Sequence, residues 1–258
     1  MSKVIAITNQ KGGVGKTTTA INLAAALAAS DLRILLVDND PQGNSTSGLG
    51  VQKIPGMATT YNVFVDRIEP KDAIQKTEMD GLDVLPADKN LIGVNFELVS
   101  VEGRESILRD QLKTVRENYD YILIDCPPSL DLLTLNALMA ADSALVPIQC
   151  EFFALEGISE LMDTIQRVGE SFGHPVKIEG ILLTMFDDRT NLAKQVANDL
   201  REFFGTDVLM TVIPRNIRLA EAPSHGKPIL LYDPGSRGSE SYIQLAKELL
   251  ENEQKRSA

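Results

Sequence analysis

No stretch of this chain approaches the roughly 20 consecutive apolar residues that cross a bilayer. No basic-then-apolar signal segment opens it either, because strand pattern begins already at Lys3. Both absences predict a cytoplasmic protein. Cysteine is scarce: Cys126 and Cys150 are the only two, with no C-x-x-C spacing. Each follows an apolar run, where a small buried residue in a reducing compartment is expected, not a cluster ligand. Internal repeats, low-complexity tracts and obvious linkers are missing as well. Positive charge is in deficit, with a net charge of −11. Taken alone, that sum argues against nucleic-acid binding. Distribution matters more than the sum. Between Thr184 and Arg237 seven basic residues meet seven acidic ones, so the acid excess lies elsewhere and this region could present a locally positive face. An ordinary solvated surface is the bland alternative.

What is present is alternation. Short runs rich in Ile, Leu and Val recur at Val4–Thr8, Arg33–Asp38, Leu82–Pro86, Tyr121–Asp125, Ser143–Ile148, Ile178–Met185 and Val208–Ile213. Many lack a polar face, as strands covered on both sides do. Between them lie helical patterns near Thr17–Ala29, Arg104–Asn118, Leu132–Ala140, Leu155–Phe172, Asn191–Phe204 and Ser239–Glu251. The repetition predicts an α/β fold: a single-domain, mostly parallel twisted β-sheet flanked by helices on both faces. The 258 residues, 43% of them hydrophobic, suit one such domain over 1–258. Gly50 to Lys89, with three prolines and further glycines, reads as an insertion of short elements.

The densest chemistry follows the first run, in Gln10-Lys11-Gly12-Gly13-Val14-Gly15-Lys16-Thr17-Thr18. A strand, a Gly-rich loop and a helix N-terminus form a polyphosphate cradle. Gly12, Gly13, Val14 and Gly15 supply the loop backbone, Lys16 would neutralise the β- and γ-phosphates, and the Thr17 hydroxyl would ligate Mg²⁺. Gln10 stands where the standard loop has glycine, and Lys11 adds a second lysine that one nucleotide does not need. Asp38 and Asp40 end the second run, two residues apart on extended chain, so their carboxylates point the same way. Asp125 ends the fourth run. Carboxylates so placed can orient an attacking water or hold Mg²⁺ through its water shell.

KGGVGKTT resembles the deviant phosphate loop of the ParA/MinD ATPases (a deviant Walker A), and the ParA (Soj-type) chromosome-partitioning branch fits best. The likeness continues in LLVDNDPQGNSTSGLG (Leu35 to Gly50), YILIDCPPSLDLLTLNAL (Tyr121 to Leu138), PIQCEFFALEG (Pro147 to Gly157) and IPRNIRLAEAPSHGKPI (Ile213 to Ile229). It implies a P-loop NTPase with ATP and Mg²⁺ as cofactors. It also implies an ATP-dependent homodimer in which Lys11 reaches the partner's ATP. Asp40 would activate water, Asp38 would stand nearer the metal, and Asp125 would be the Walker B acid. Thr18 would bond the α-phosphate, and Gln42, Gly43 and Asn44 would form a switch sensing the γ-phosphate. Glu151 would touch the partner's nucleotide, and Pro214, Arg215 and Asn216 would pack on adenine.

The same resemblance implies slow ATP hydrolysis, non-specific binding of double-stranded DNA by the dimer, and a ParB-type centromere-binding protein that stimulates turnover. Arg189 and Arg218, with Lys194, Arg215 and Lys227, are the expected DNA contacts. Such a protein would be cytoplasmic and nucleoid-associated. Because the chain begins at its first strand, no N-terminal helix-turn-helix extension is expected. Three alternatives stay open: a MinD-like membrane-cycling ATPase, a cluster-assembly relative, and an orphan ParA-like ATPase positioning another cargo. The acidic segment Tyr242 to Glu253 argues against membrane binding. Two residues depart from the family pattern. Asn39 replaces an apolar residue between the paired aspartates, and Asp131 stands where glycine is common.

Overall fold

A computed structural model describes residues 2–257 of the chain. Eight strands form one sheet: β1 (Lys3–Ile7), β2 (Ile34–Asp38), β3 (Gln75–Lys76), β4 (Leu82–Leu85), β5 (Tyr121–Asp125), β6 (Ser143–Gln149), β7 (Lys177–Phe186) and β8 (Val208–Pro214). Their order is β3-β4-β2-β5-β1-β6-β7-β8, and every pairing is parallel except that of β3 with β4 at one edge. The helices are α1 (Lys16–Ala28), α2 (Asn44–Gly48), α3 (Thr60–Val65), α4 (Pro70–Ala73), α5 (Val94–Glu97), α6 (Ile107–Leu112), α7 (Leu132–Ala140), α8 (Ala154–Phe172), α9 (Asn191–Phe204), α10 (Ile217–Glu221), α11 (Ile229–Tyr232) and α12 (Arg237–Ser257).

Strand periodicity divides the core in two. Val4, Ala6, Leu35 and Val37 pack on one side with α3, α6, α7, α8 and α9; Ile5, Ile7, Ile34 and Leu36 pack on the other with α1 and α12. Successive side chains of one strand must face opposite layers. With both layers covered, a run such as Ile34–Asp38 is buried at every position. That explains why its sequence shows no alternation.

One expected helix is broken. The pattern predicts one helical stretch over Arg104–Asn118, but only Ile107–Leu112 is α-helical, with short 3₁₀ turns at Arg104–Ser106 and Arg116–Asn118. The break at its start is made by a side chain from α7. Asn136 accepts the Leu108 N–H at 3.1 Å and donates to the Arg104 carbonyl at 2.8 Å. In a continuous helix that N–H and carbonyl would bond each other, so Asn136 takes the place of the first ladder rung.

The topology creates the site. β1 lies between β5 and β6 and feeds α1 on one face of the sheet, whereas β5 feeds α7 on the other. Connections leaving neighbouring strands for opposite faces open a crevice at the strands' carboxyl ends, where ligands bind in such sheets. Among the described residues, no helix is long and apolar enough to cross a membrane.

Candidate active site

The turn from β1 into α1 is braced from behind. Asn9 Nδ2 donates to the Pro147 carbonyl at 2.8 Å, and its Oδ1 accepts the Lys11 N–H at 2.9 Å. The Thr184 hydroxyl donates to the Val14 carbonyl at 2.7 Å. Gly15 sits at φ 89°, where a side chain is strained, and caps α1 with no side-chain hydrogen bond to the first turn. A Cβ on Gly12 or Gly13 would meet nothing within 4 Å, so open space faces the loop. Uncapped helix donors beside open space suit a polyphosphate.

That space is a cavity of about 600 Å³. Gly12, Gly13, Gly15, Lys16, Thr17 and Thr18 line it, as do Asp40, Gln42 and Asn44, and Pro214, Arg215 and Asn216. Asp40 is the one carboxylate among the described lining residues. Val14 is fully buried behind the loop. Lys16 Nζ lies folded back on the Lys11 carbonyl at 3.1 Å. Burial lowers the Lys16 pKa, and the charges of Asp125 and Asp40 oppose that fall.

Asp38 and Asp125 lie below the floor on paired strand ends, both without solvent exposure. Asp38 Oδ2 accepts from Thr46 N at 2.8 Å and Thr46 Oγ1 at 2.7 Å, while Oδ1 accepts from Asp40 N at 3.3 Å. These bonds tie Asp38 to α2 and the turn before it. Asp125 Oδ2 accepts from Ser45 Oγ at 2.7 Å, but its Oδ1 is buried with no hydrogen-bond partner. A buried carboxylate oxygen without a partner, near the Thr17 hydroxyl, fits a hard divalent cation or its water shell.

Burial pushes both carboxyls up, Asp38 to about 6 and Asp125 to about 7, and each is raised further by neighbouring carboxylate charge. A carboxyl raised on folding lends stability that is fully present below its unfolded pKa near 4 and is lost as pH rises through the folded value. Without metal, Asp125→Asn should therefore raise the melting temperature by several degrees at pH 8 and by clearly less at pH 5, where only the first part of that stability has been lost. Thermal melts in EDTA at the two pH values measure this. An equal shift at both would show that Asp125 is not buried in charged form.

At the cavity mouth, outside its lining, Lys11 Nζ pairs with the Glu151 carboxylate; both side chains are about half exposed. The two expected contacts to a partner's nucleotide thus hold each other within one chain. Exposed aromatics Phe152 and Phe153 follow, edge to face with ring centroids 5.0 Å apart.

The expected DNA contacts are mostly engaged as well. Arg189 makes a forked pair with Asp187, Arg218 pairs with Glu221 and Asp233, and Lys227 pairs with Glu78. Lys194 and Arg215 form no ion pair among the described residues. The two family departures act on one helix start. Asn39 Nδ2 donates to the Leu133 carbonyl at 2.8 Å, and Asp131 caps α7 by accepting the Leu133 N–H at 3.0 Å.

Sequence reasoning missed Thr184, Met185 and Tyr242, which also line the cavity. Met185 holds a left-handed φ of 47°, a strained state for a side-chain residue. Tyr242 comes from α12 and meets the Thr19 hydroxyl at 3.2 Å. No local pattern marks them, because strand ends and chain-distant helices bring them in.

Comparison with known proteins agrees with this geometry. The AAA domain family matches residues 2–178. The sporulation initiation inhibitor protein Soj of Bacillus subtilis is 55% identical, covering 98% of this chain and 100% of its own length. The chromosome partitioning protein ParA of Caulobacter vibrioides is 54% identical, covering 99% of this chain and 97% of its own. Among solved structures, cobyrinic acid a,c-diamide synthase of Mycobacterium smegmatis with bound ADP and magnesium has a TM-score of 0.86 at 36% identity, covering 98% of this chain and 96% of that one. The cavity's phosphate cradle and hard-oxygen donors fit ATP and Mg²⁺. The matches run from one end of the chain to the other and through every motif that builds the cavity, so the chain belongs to the Soj/ParA family of chromosome-partitioning ATPases.

Proposed function

We propose that this chain is a slow ATP hydrolase working as a switch. Two copies close around two ATP molecules, the ATP-bound dimer holds double-stranded DNA without sequence preference, and hydrolysis releases it. The observation that carries this reading is Lys11. It belongs to the phosphate loop, yet its side chain stands outside the cavity that the loop builds, half exposed beside Glu151. A phosphate-loop lysine that does not serve its own cavity is available to a neighbour's.

In the single subunit, the backbone of Gly12–Gly15 and the Thr18 hydroxyl hold phosphates, Lys16 neutralises charge between them, and Pro214–Asn216 border the base. Thr17 and Asp125 would hold Mg²⁺, which when bound would supply charge neutralisation for the phosphates. Asp40 orients a water and takes up its proton as the oxygen attacks the γ-phosphorus. The bond to the β-phosphate oxygen breaks, and ADP and phosphate leave. No acceptor other than water is evident, which suits a switch. A ParB-type partner would accelerate that step, and repeated release and rebinding along the nucleoid would move its cargo. An ATPase positioning another cargo would share this chemistry and differ only in that partner.

A membrane-cycling role needs an apolar helix face free to enter lipid. In α12 the residues Tyr242, Leu245, Ala246 and Leu249 are buried against the domain. The DNA reading is therefore favoured, and co-sedimentation with anionic liposomes in ATP should recover no protein.

DNA retention in ATP, in ADP and without nucleotide tests the function, with retention expected in ATP alone and falling steeply with salt. Arg189 and Arg218 each begin in a surface ion pair worth about 0–1 kcal/mol, which phosphate can displace. Arg189→Glu and Arg218→Glu should each lower retention by about tenfold while leaving the ATP dimer intact on sedimentation. Unchanged retention would remove both from the DNA face.

A further inference from the structure

The turn that carries Asp40 is held by a lysine that no motif contains. Asp40 Oδ1 accepts the Gln42 N–H at 2.9 Å, and the Asp40 carbonyl accepts the Gly43 N–H at 2.8 Å. The second of these bonds comes from the peptide unit joining Gln42 to Gly43. The carbonyl of that same unit accepts from Lys53 Nζ at 2.9 Å. One rigid peptide plane is thus fixed from both sides, by the Asp40 carbonyl on its N–H and by Lys53 on its oxygen.

This plane needs a lock. Gly43 occupies a left-handed φ of 61°. Glycine populates positive and negative φ about equally, so nothing in its own backbone preference prevents the preceding peptide from flipping. A flip would turn the N–H away from the Asp40 carbonyl and the oxygen away from Lys53, and the Asp40 turn would open. Lys53 also lies tightly against Gly43. A Cβ built there would collide with the Lys53 ammonium on one side and the Ala87 carbonyl on the other. Further support comes from Asp38, which accepts the Asp40 N–H, and from Ser47, whose N–H and hydroxyl donate to the Gly43 carbonyl; neither holds the Gln42–Gly43 peptide itself.

We infer that Lys53 is a positioning residue for ATP hydrolysis: by pinning the Gln42–Gly43 peptide it keeps the Asp40 carboxylate aimed at the water that attacks the γ-phosphate. The inference rests on the proposed role of Asp40. Lys53 touches neither phosphate loop nor cavity, since it does not line the space that Asp40 and Gln42 share with Lys16. Its loss should therefore spare nucleotide binding and impair the chemical step. Misplacement of a reacting group by a fraction of an ångström to an ångström costs up to about 10²-fold in rate.

The test is steady-state ATP turnover by the full chain carrying Lys53→Met, Lys53→Arg and, in parallel, Asp40→Ala. Lys53→Met should lower kcat by about tenfold with KM for ATP unchanged within about twofold. Lys53→Arg keeps a donor at the end of a long stem and should restore kcat to within about threefold of the parent. The side chain is exposed, so the melting temperature of both variants should stay within about 2 °C. Parental kcat in Lys53→Met, alongside an inactive Asp40→Ala, overturns the positioning role and leaves the function standing. Parental kcat in Asp40→Ala overturns the assignment of Asp40 itself. A matched fall in kcat for Met and Arg with a lowered melting temperature would show that Lys53 serves the fold only.

Discussion

Asp40→Ala should lose ATP turnover by about 10²-fold or more while still binding ATP. The geometry isolates this residue from its acidic neighbours. Asp38 accepts from Thr46 and the Asp40 N–H, and Asp125 accepts from Ser45, both buried outside the cavity lining. Among the described residues, Asp40 alone brings a carboxylate to the cavity lining. On the proposed mechanism, removing it takes away the group that orients and deprotonates water but none of the loop and α1 donors that would grip phosphate. Binding and dimerisation then continue and hydrolysis does not, so the ATP dimer accumulates and stays on DNA. Asp40→Asn is the stricter variant. It keeps an oxygen to accept the Gln42 N–H, holds the turn, and removes only the base. Single-turnover hydrolysis and sedimentation in ATP read the two halves separately. Normal hydrolysis by Asp40→Asn would remove the carboxylate from the chemical step.

The sheet and most helices were legible because both carry strong periodic signals. Leu132–Ala140 and Asn191–Phe204 start where the sequence pattern starts, since Asp131 and Thr190 cap their first turns with side-chain oxygens. The cradle was legible because it is local: strand, glycines and helix start are consecutive. Arg104–Asn118 failed because the interruption comes from Asn136, a residue from a different helix. The pairing of Lys11 with Glu151 was hidden for the same reason, as 140 residues separate them. Charge was the least legible property. A count of seven basic and seven acidic residues said nothing of who pairs with whom. The fold sets Arg189, Arg218 and Lys227 against carboxylates and leaves Lys194 and Arg215 without ion pairs among the described residues.

Lys11→Ala should retain monomeric ATP binding within about threefold and lose the ATP-dependent dimer. The loop's shape does not depend on this side chain. Its backbone N–H is held by Asn9 and its carbonyl by Lys16, and both contacts survive truncation to alanine. What is lost is a charge at the mouth. A charge-assisted hydrogen bond to phosphate contributes about 1.5–3 kcal/mol. A symmetric dimer makes two, so the loss is roughly 3–6 kcal/mol, or about 10²–10⁴-fold in dimer affinity. The bond to Glu151 does not offset this, because an exposed pair is worth about 0–1 kcal/mol and yields readily to a polyphosphate. Glu151→Gln separates the two partners of that pair. If Lys11 acts on the neighbour's ATP, freeing it from Glu151 preserves its charge and should leave a dimer that Lys11→Ala cannot form. Sedimentation velocity of both variants in ATP and Mg²⁺, with Asp40→Ala added to stop hydrolysis, decides the matter. A normal dimer in Lys11→Ala under those conditions would mean that each subunit completes its own site, and the link between nucleotide and pairing would have to lie elsewhere.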